Sequence, residues 1–282
     1  MIQTYKDAVL IYNPRAGRIL RSDGSLIHRA EKALRDAGHR VTPAPTTGPR
    51  TAGEIARKQI ARGADLIVVA GGDGTVNEAA EGMVGSEVPL AVLPAGTANV
   101  LATEMKLGRD PVQAARRLHE WQARGVAAGR LTFGDGQTRH FLLMAGIGLD
   151  AHIVGKVNPG LKARTGKFAY WVAGWSLVGR RLAQFEVEIE GVKRTCGFAL
   201  FARVRNYGGD FEIARQVTLL EDSFEVVLFE GRSALRFVPY FAGMVMGRLE
   251  GRRGVTVLRA REAAVRSVGE ESALVQIDGE LG

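Results

Sequence analysis

VVAGGDGTVNEAAEGM, residues 68–83, is the stretch whose reading decides the fold. A run of β-formers ends in two glycines, an aspartate, a third glycine and a threonine, and helical periodicity then begins. In an open parallel sheet, ligands bind beyond the carboxyl ends of the strands, close to helix N-termini. Gly71 and Gly72 lack Cβ atoms, so their N–H groups can converge on an anion, and a helix opening near Thr75 adds its dipole. Thr75 can bond a phosphate oxygen or cap that helix. Asp73 is the odd member, because a carboxylate repels phosphate unless a cation lies between them. Mg²⁺ or a ribose hydroxyl is therefore its expected partner. Read alone, Gly71–Gly74 serves equally well as a tight turn with Asp73 as helix cap.

The flanking sequence extends the pattern in both directions. Strand-like runs at 8–13 (AVLIYN), 40–45 (RVTPAP), 64–70 (ADLIVVA) and 88–96 (VPLAVLPAG) alternate with helical patterns at 25–37, 51–63, 75–85, 97–108 and 110–125. The last helix opens with Asp110 and Pro111, a good start signal. Such alternation predicts an α/β N-terminal domain, a parallel sheet with helices on both faces. Two more strand ends carry polar, glycine-bearing turns, YNPRAG (12–17) and LPAGTAN (93–99). Three of the four strand ends are of this kind, which favours phosphate binding over a single tight turn.

From Val126 onward the pattern changes. AGRLTF, RHFLLMAGIGL, QFEVEIEGV, CGFALFARVR, SFEVVLFEG, GVTVLRA, AAVRSVG and ALVQIDGE read as strands of a mainly antiparallel domain. Helical insertions are expected near 164–182 and 233–249. The reading gives domains 1–125 and 126–282. GLKARTGKF (160–168) is not a Walker A loop, because its glycines are too far apart and Phe168 stands where Ser or Thr should bind Mg²⁺.

Composition narrows the partner. The formal charge of +8 and pI near 9.9 favour an anionic one. Cys196 is the only cysteine, so no intramolecular disulfide and no cysteine-rich metal site is expected, and it reads as core. The five histidines show no metal-ligand spacing. No signal-peptide core or membrane span is evident; FVPYFAGMVMG (237–247) is short and contains Pro239. A cytoplasmic protein with peripheral membrane contact is expected. Lys156, Lys162, Arg164, Lys167, Arg180 and Arg181 are unrelieved by any acid between Ala151 and Phe185. They suit an anionic membrane surface, while the neighbouring Trp171 and Trp175 read as core. Phe237, Tyr240, Phe241 and Met244 suit an acyl-chain pocket or packing on the sheet. Nucleic acid is not expected, since no recognition motif accompanies the charge.

Taken in order, the motifs NPRAG, GGDGTVNE (71–78), LPAGTAN (93–99), GIGLDA (146–151), RTGKFAYWVAG (164–174), NYGGDFEIA (206–214), LLEDSFEV (219–226) and DGE (278–280) resemble the diacylglycerol kinase catalytic-domain family. These are bacterial lipid kinases related to sphingosine and ceramide kinases; NAD kinases are similar in the glycine motif alone. The resemblance covers almost the whole chain. It implies an NAD kinase/diacylglycerol kinase-like nucleotide domain, a β-sandwich-like C-terminal domain, and an active site between them. It also implies a lipid substrate with a free hydroxyl, ATP and Mg²⁺. ATP phosphates are then expected on Asn13, Gly17, Gly71, Gly72, Asp73, Gly74, Thr75 and Asn77. Gly96, Thr97, and Thr46 or the adjacent Thr47, flank them. Glu280 is implied as general base. Asp73, with Asp278 or Asp150, is implied to hold Mg²⁺. A further metal site is implied at Asp222 with backbone groups of Leu219 and Phe224. A homodimer is compatible with this reading.

Four departures from the family pattern bear on catalysis. Val100 stands where an Asp usually follows GTAN, which leaves a catalytically impaired nucleotide- or lipid-binding member as one alternative, beside a NAD kinase-like enzyme that shares the glycine motif. Ser223 follows Asp222 in place of Gly, and Arg215 replaces a proline. The family pattern also continues with a strand after the DGE motif, where two residues follow Glu280 here. Either a shortened chain or a less well anchored Glu280 loop is expected.

Overall fold

The computed structural model describes residues 5–149, 182–207, 211–232, 239–240, 243, 249, 251–269 and 273–281. The chain forms two compact units, Met1–Ala128 and Gly129–Gly282.

In the first unit β1 (Ala8–Tyr12), β2 (Val41–Pro45), β3 (Leu66–Gly71) and β4 (Leu90–Pro94) form a parallel sheet in the order β2-β1-β3-β4. Central β1 and β3 are apolar without alternation and buried on both faces, as a sheet covered by helices on each side requires. The proline-bearing β2 lies at the edge, where a missing N–H is tolerated. The helices are α1 (Gly17–Arg21), α2 (Ser25–Asp36), α3 (Thr51–Ala61), α4 (Asp73–Met83), α5 (Val100–Glu104) and α6 (Pro111–Arg116). Leu26, Ile27, Ala30 and Leu34 of α2 join Val112 and Ala115 of α6 in one core with Leu10, Val68 and Leu93 of the sheet. Helices α3 and α4 pack on each other and against β1 and β3.

The helix ends differ from the sequence reading for local reasons. Helix α4 starts two residues early, at Asp73, with Gly72 as N-cap, so Asp73 does not cap its own helix. Helix α5 is one short stretch rather than 97–108. Asn99 takes a left-handed conformation (φ 48°) and delays the start, and Lys106 (φ 56°) and Gly108 (φ 81°) prevent continuation. Helix α6 begins as its sequence signals: the Asp110 carboxylate accepts the N–H groups of Val112 (2.8 Å) and Gln113 (3.4 Å). It ends at Arg116, followed by a 3-10 turn at Leu118–Glu120. There Trp121 turns extended and packs on the same core, under the Arg117 guanidinium.

The second unit is antiparallel. Its strands are β5 (Gly129–Thr132), β6 (Thr138–Phe141), β7 (Met144–Gly148), β8 (Gln184–Ile189), β9 (Val192–Cys196), β10 (Phe198–Ala202), β11 (Asn206–Tyr207), β12 (Phe211–Glu212), β13 (Phe224–Phe229), β14 (Val255–Ala260), β15 (Ala264–Val268), β16 (Val275–Ile277) and β17 (Glu280–Leu281). A six-stranded sheet runs β14-β13-β10-β7-β16-β17, and a three-stranded sheet runs β15-β8-β9. Alternate residues Ala145, Ile147, Ala199, Phe201, Val226 and Leu228 of the large sheet pack on Phe185, Val187, Ile189 and Cys196 of the small one. This is a β-sandwich core with period-two burial. Burial, with the charge of Glu230, pushes the Cys196 thiol up to about 12, so it is core rather than nucleophile.

Strand β9 was absent from the sequence reading because VKRTC is mostly polar and exposed. A two-residue turn supplies it: Glu190 (φ 50°) and Gly191 (φ 79°) are both left-handed, the geometry that matches strand twist in a hairpin. RHFLLMAGIGL, read as one strand, divides into β6 and β7. The helical insertion near 164–181, with the basic cluster, Trp171 and Trp175, lies outside the described residues; in the one near 233–249, Pro239, Tyr240 and Gly243 are helical. Tyr240 is described: its ring packs 5.6 Å from that of Phe229, and its hydroxyl donates to the Glu230 and Arg253 carbonyls. It therefore packs on the sheet. No helix among the described residues is long and apolar enough to cross a membrane.

Candidate active site

The carboxyl ends of the four parallel strands are bonded to one another just past the sheet. The Asn13 N–H donates to the Ala70 carbonyl (3.1 Å), that of Thr46 to Tyr12 (2.9 Å), and that of Ala95 to Gly71 (3.0 Å). Asn13 then turns the chain. Its side-chain oxygen accepts the Arg15 N–H (2.9 Å) and its amide donates to Thr75 Oγ1 (3.4 Å). Gly17 opens α1, and the next residue, Arg18, donates its N–H to the Ala95 carbonyl (3.4 Å). Asn13, Gly17, Thr46, Gly71, Thr75 and Gly96 thus gather at one edge of the first unit.

Helix α4 presents an uncapped N-terminus to this edge. Gly72 makes no side-chain cap, and the Val76 N–H is the first to find a helical partner, the Gly72 carbonyl at 3.1 Å. The preceding N–H groups have no acceptor of their own in the helix, which is the arrangement that attracts an anion. Gly74 is partly exposed there, whereas Thr75 and Asn77 are buried; Thr97 is exposed on the neighbouring turn. Asn77, four residues after Asp73, shares its face of the helix.

The turn after β4 is locked to the glycine turn. A Cβ on Gly96 would sit 2.3 Å from the Gly72 Cα, so the two backbones approach too closely for any side chain. Asn99 holds the turn by accepting the Gly96 N–H (2.8 Å) and donating to the Gly96 carbonyl (2.9 Å). Asp73 completes the lock: its carboxylate accepts the Leu101 N–H at 3.3 Å, at the start of α5. Burial raises the Asp73 pKa from its usual value, and hydrogen bonds from the backbone of Val100, Leu101 and Asn99 oppose that shift. Val100 itself is buried and offers no carboxylate. Glu78, passed over in the sequence reading although it ends the glycine motif, accepts the Ala52 N–H (3.3 Å) at the start of α3.

Among the described residues no group of three or more His, Cys, Asp or Glu side chains is placed to hold a metal. A single carboxylate such as Asp73 fits Mg²⁺ of the kind completed by substrate phosphates and water.

In the second unit, Asp278 and Gly279 form a two-residue turn with φ of 49° and 87° between the paired residues Ile277 and Glu280. Glu280 is exposed on the short β17. The hairpin pairs Glu280 with Ile277. Asp278 is turned inward: its carboxylate accepts the N–H groups of Leu142 (2.8 Å), Leu143 (2.9 Å) and Met144 (2.8 Å). Those bonds are why β6 and β7 separate. Both Asp278 carboxylate oxygens are thus engaged by backbone N–H groups; Asp150 lies outside the described residues.

The residues of the implied second metal site lie around the turn that leads into β13. The Leu219 carbonyl accepts from the Arg203 guanidinium (3.1 Å), Asp222 is exposed, and Phe224 opens β13 with its ring edge-on to Phe201. Buried Glu225 accepts the N–H groups of Arg215 (3.3 Å) and Gln216 (2.9 Å), so Arg215 supplies a donor that a proline lacks. Arg203 was also passed over in the sequence reading. Its signal there was a single charge inside the apolar run FALFARV.

Comparison with known proteins is consistent across sequence and structure. Residues 7–131 match the diacylglycerol kinase catalytic domain. The chain is 28% identical over 285 residues to the diacylglycerol kinase of Bacillus subtilis, covering 98% of this chain and 90% of that protein. It is 25% identical to the diacylglycerol kinase of Mycobacterium tuberculosis over 74% of this chain and 69% of that one. A crystal structure of a Bacillus anthracis Sterne diacylglycerol kinase shares the fold, with a TM-score of 0.73 at 20% identity, covering 98% of this chain and 90% of that chain.

Proposed function

We propose that the chain is a lipid kinase of the diacylglycerol kinase catalytic-domain family, transferring the γ-phosphate of ATP to the free hydroxyl of diacylglycerol or a related lipid, a reading supported by the family match over residues 7–131 and the likeness to bacterial diacylglycerol kinases. The observation that carries the ATP reading is the uncapped α4 N-terminus among interlocked glycine turns at the carboxyl edge of the parallel sheet. The triphosphate lies along Gly71–Thr75 and Gly96, with Asn13, Gly17, Thr46, Asn77 and Thr97 around it. Asp73 is the carboxylate that holds Mg²⁺, which when bound neutralises phosphate charge.

Glu280 accepts the hydroxyl proton as the lipid oxygen bonds to the γ-phosphorus; the bond to the β–γ bridging oxygen breaks and ADP leaves. Its support is the hairpin that fixes it, held from behind by Asp278. The +8 charge supports peripheral attraction to anionic membrane, where such a substrate resides.

A second reading has one observation in its favour. Buried Val100, whose backbone bonds Asp73, brings no carboxylate of its own to that position, which suits a member that binds ATP and lipid without turnover. Purified protein incubated with γ-labelled ATP, Mg²⁺ and a panel of lipid hydroxyl acceptors, with NAD as control, separates the readings. Label in a lipid product supports the kinase. ATP binding without label in any acceptor supports the second reading, and label in NAD alone contradicts both.

A further inference from the structure

We propose that the guanidinium of Arg203 is a built-in cation for the turn at 219–223, taking the place of the metal ion that the family pattern puts there. Arg203 follows β10 directly and is 2% exposed. One terminal nitrogen donates to the carbonyls of Leu219 and Glu221, and the other to that of Ser223, each at 3.1 Å. Three carbonyl oxygens from alternate residues thus converge on one positive group. Oxygens gathered in this way are what a hard cation recruits. A guanidinium meets them with a planar fork of donors and a charge that is not lost at physiological pH.

The charges around the turn are matched without an ion. Glu221 pairs with Arg259, whose Nε also donates to Ser223 Oγ (3.0 Å). Asp222 lies close enough to Arg203 to favour its charge against the cost of burial. Two acids therefore face two arginines. A divalent ion at the Leu219 carbonyl would have to share it with a guanidinium of the same sign. Mg²⁺ would also need its oxygens at ~2.1 Å, well inside the spacing the guanidinium sets.

The same residue ties the turn to the acidic hairpin. The Arg203 N–H donates to the Leu143 carbonyl (2.8 Å), and the Leu143 N–H donates to Asp278 (2.9 Å). A fixed side chain, rather than an exchangeable ion, thus holds the turn against the strand junction that anchors Glu280. Arg203 is a positioning residue in this scheme.

The test needs neither nucleotide nor lipid, so its outcome is independent of the kinase reading. Wild type and Asp222→Asn are melted with and without millimolar Mg²⁺ or Ca²⁺. Equal metal-induced shifts in the two proteins are expected; a stabilising shift in wild type that Asp222→Asn abolishes overturns the proposal. Arg203→Ala is expected to melt several degrees lower in metal-free buffer, and an unchanged melting temperature overturns it. Should Arg203→Ala not accumulate folded, Arg203→Lys provides the same comparison, since an ammonium cannot span three carbonyls.

Discussion

Asp278 and Asp73 are both acids of glycine-bearing motifs, and the structure uses them in opposite ways. Asp278 is 7% exposed and its carboxylate accepts three backbone N–H groups. Asp278→Ala strands those buried donors and is expected to lower stability by about 3–5 kcal/mol in denaturant unfolding. Asp278→Asn, which keeps one acceptor oxygen, should fall between. Asp73 is instead held at a cost. Its folded pKa lies above the unfolded value because burial outweighs its hydrogen bonds. The native state then binds the extra proton, so stability declines as pH rises from the unfolded to the folded pKa. Asp73→Asn should remove that decline. In melts from about pH 3 to pH 7, its stability relative to wild type should improve as pH rises, while lipid phosphorylation is lost. An Asn variant that loses ground on approaching pH 7 would contradict this.

At the scale of elements, the decisive contact is the approach of the glycine turn to the turn after β4. Gly96→Ala puts a methyl into the Gly72 backbone, which must shift. About 1–3 kcal/mol of stability should go, and KM for ATP should rise more than KM for lipid. Steady-state kinetics with each substrate varied in turn checks the difference. Much of this arrangement was legible in the sequence. Hydrophobic runs followed by polar, glycine-bearing turns located β1, β3 and β4, because buried parallel strands leave a continuous apolar signature. Helix α5 was misjudged because Asn99 and Lys106 adopt left-handed backbone, a local choice that helical periodicity does not encode. Strand β9 was missed because an exposed strand carries no burial pattern. The role of Arg203 depends on residues 16–20 positions later in the chain, a pairing that no local pattern reveals.

For the whole molecule, the formal charge of +8 predicts salt-sensitive attachment to anionic lipid. Binding to phosphatidylserine-containing vesicles should weaken steeply as salt rises past ~0.15 M, where the screening length falls below ~8 Å. Binding to neutral vesicles should be weak throughout, and salt-independent attachment would contradict the electrostatic account. The fold itself follows from two kinds of sheet, one parallel and buried on both faces, one antiparallel and sandwiched. In the proposed reaction the first would supply helix N-termini for phosphate and the second a hairpin that carries the carboxylate of Glu280. The direct test of that division is to compare wild type with Glu280→Gln for both ATP binding and phosphate transfer to diacylglycerol. Unchanged ATP affinity with turnover reduced by ~100-fold or more is the expected result. Turnover that survives Glu280→Gln would contradict the account.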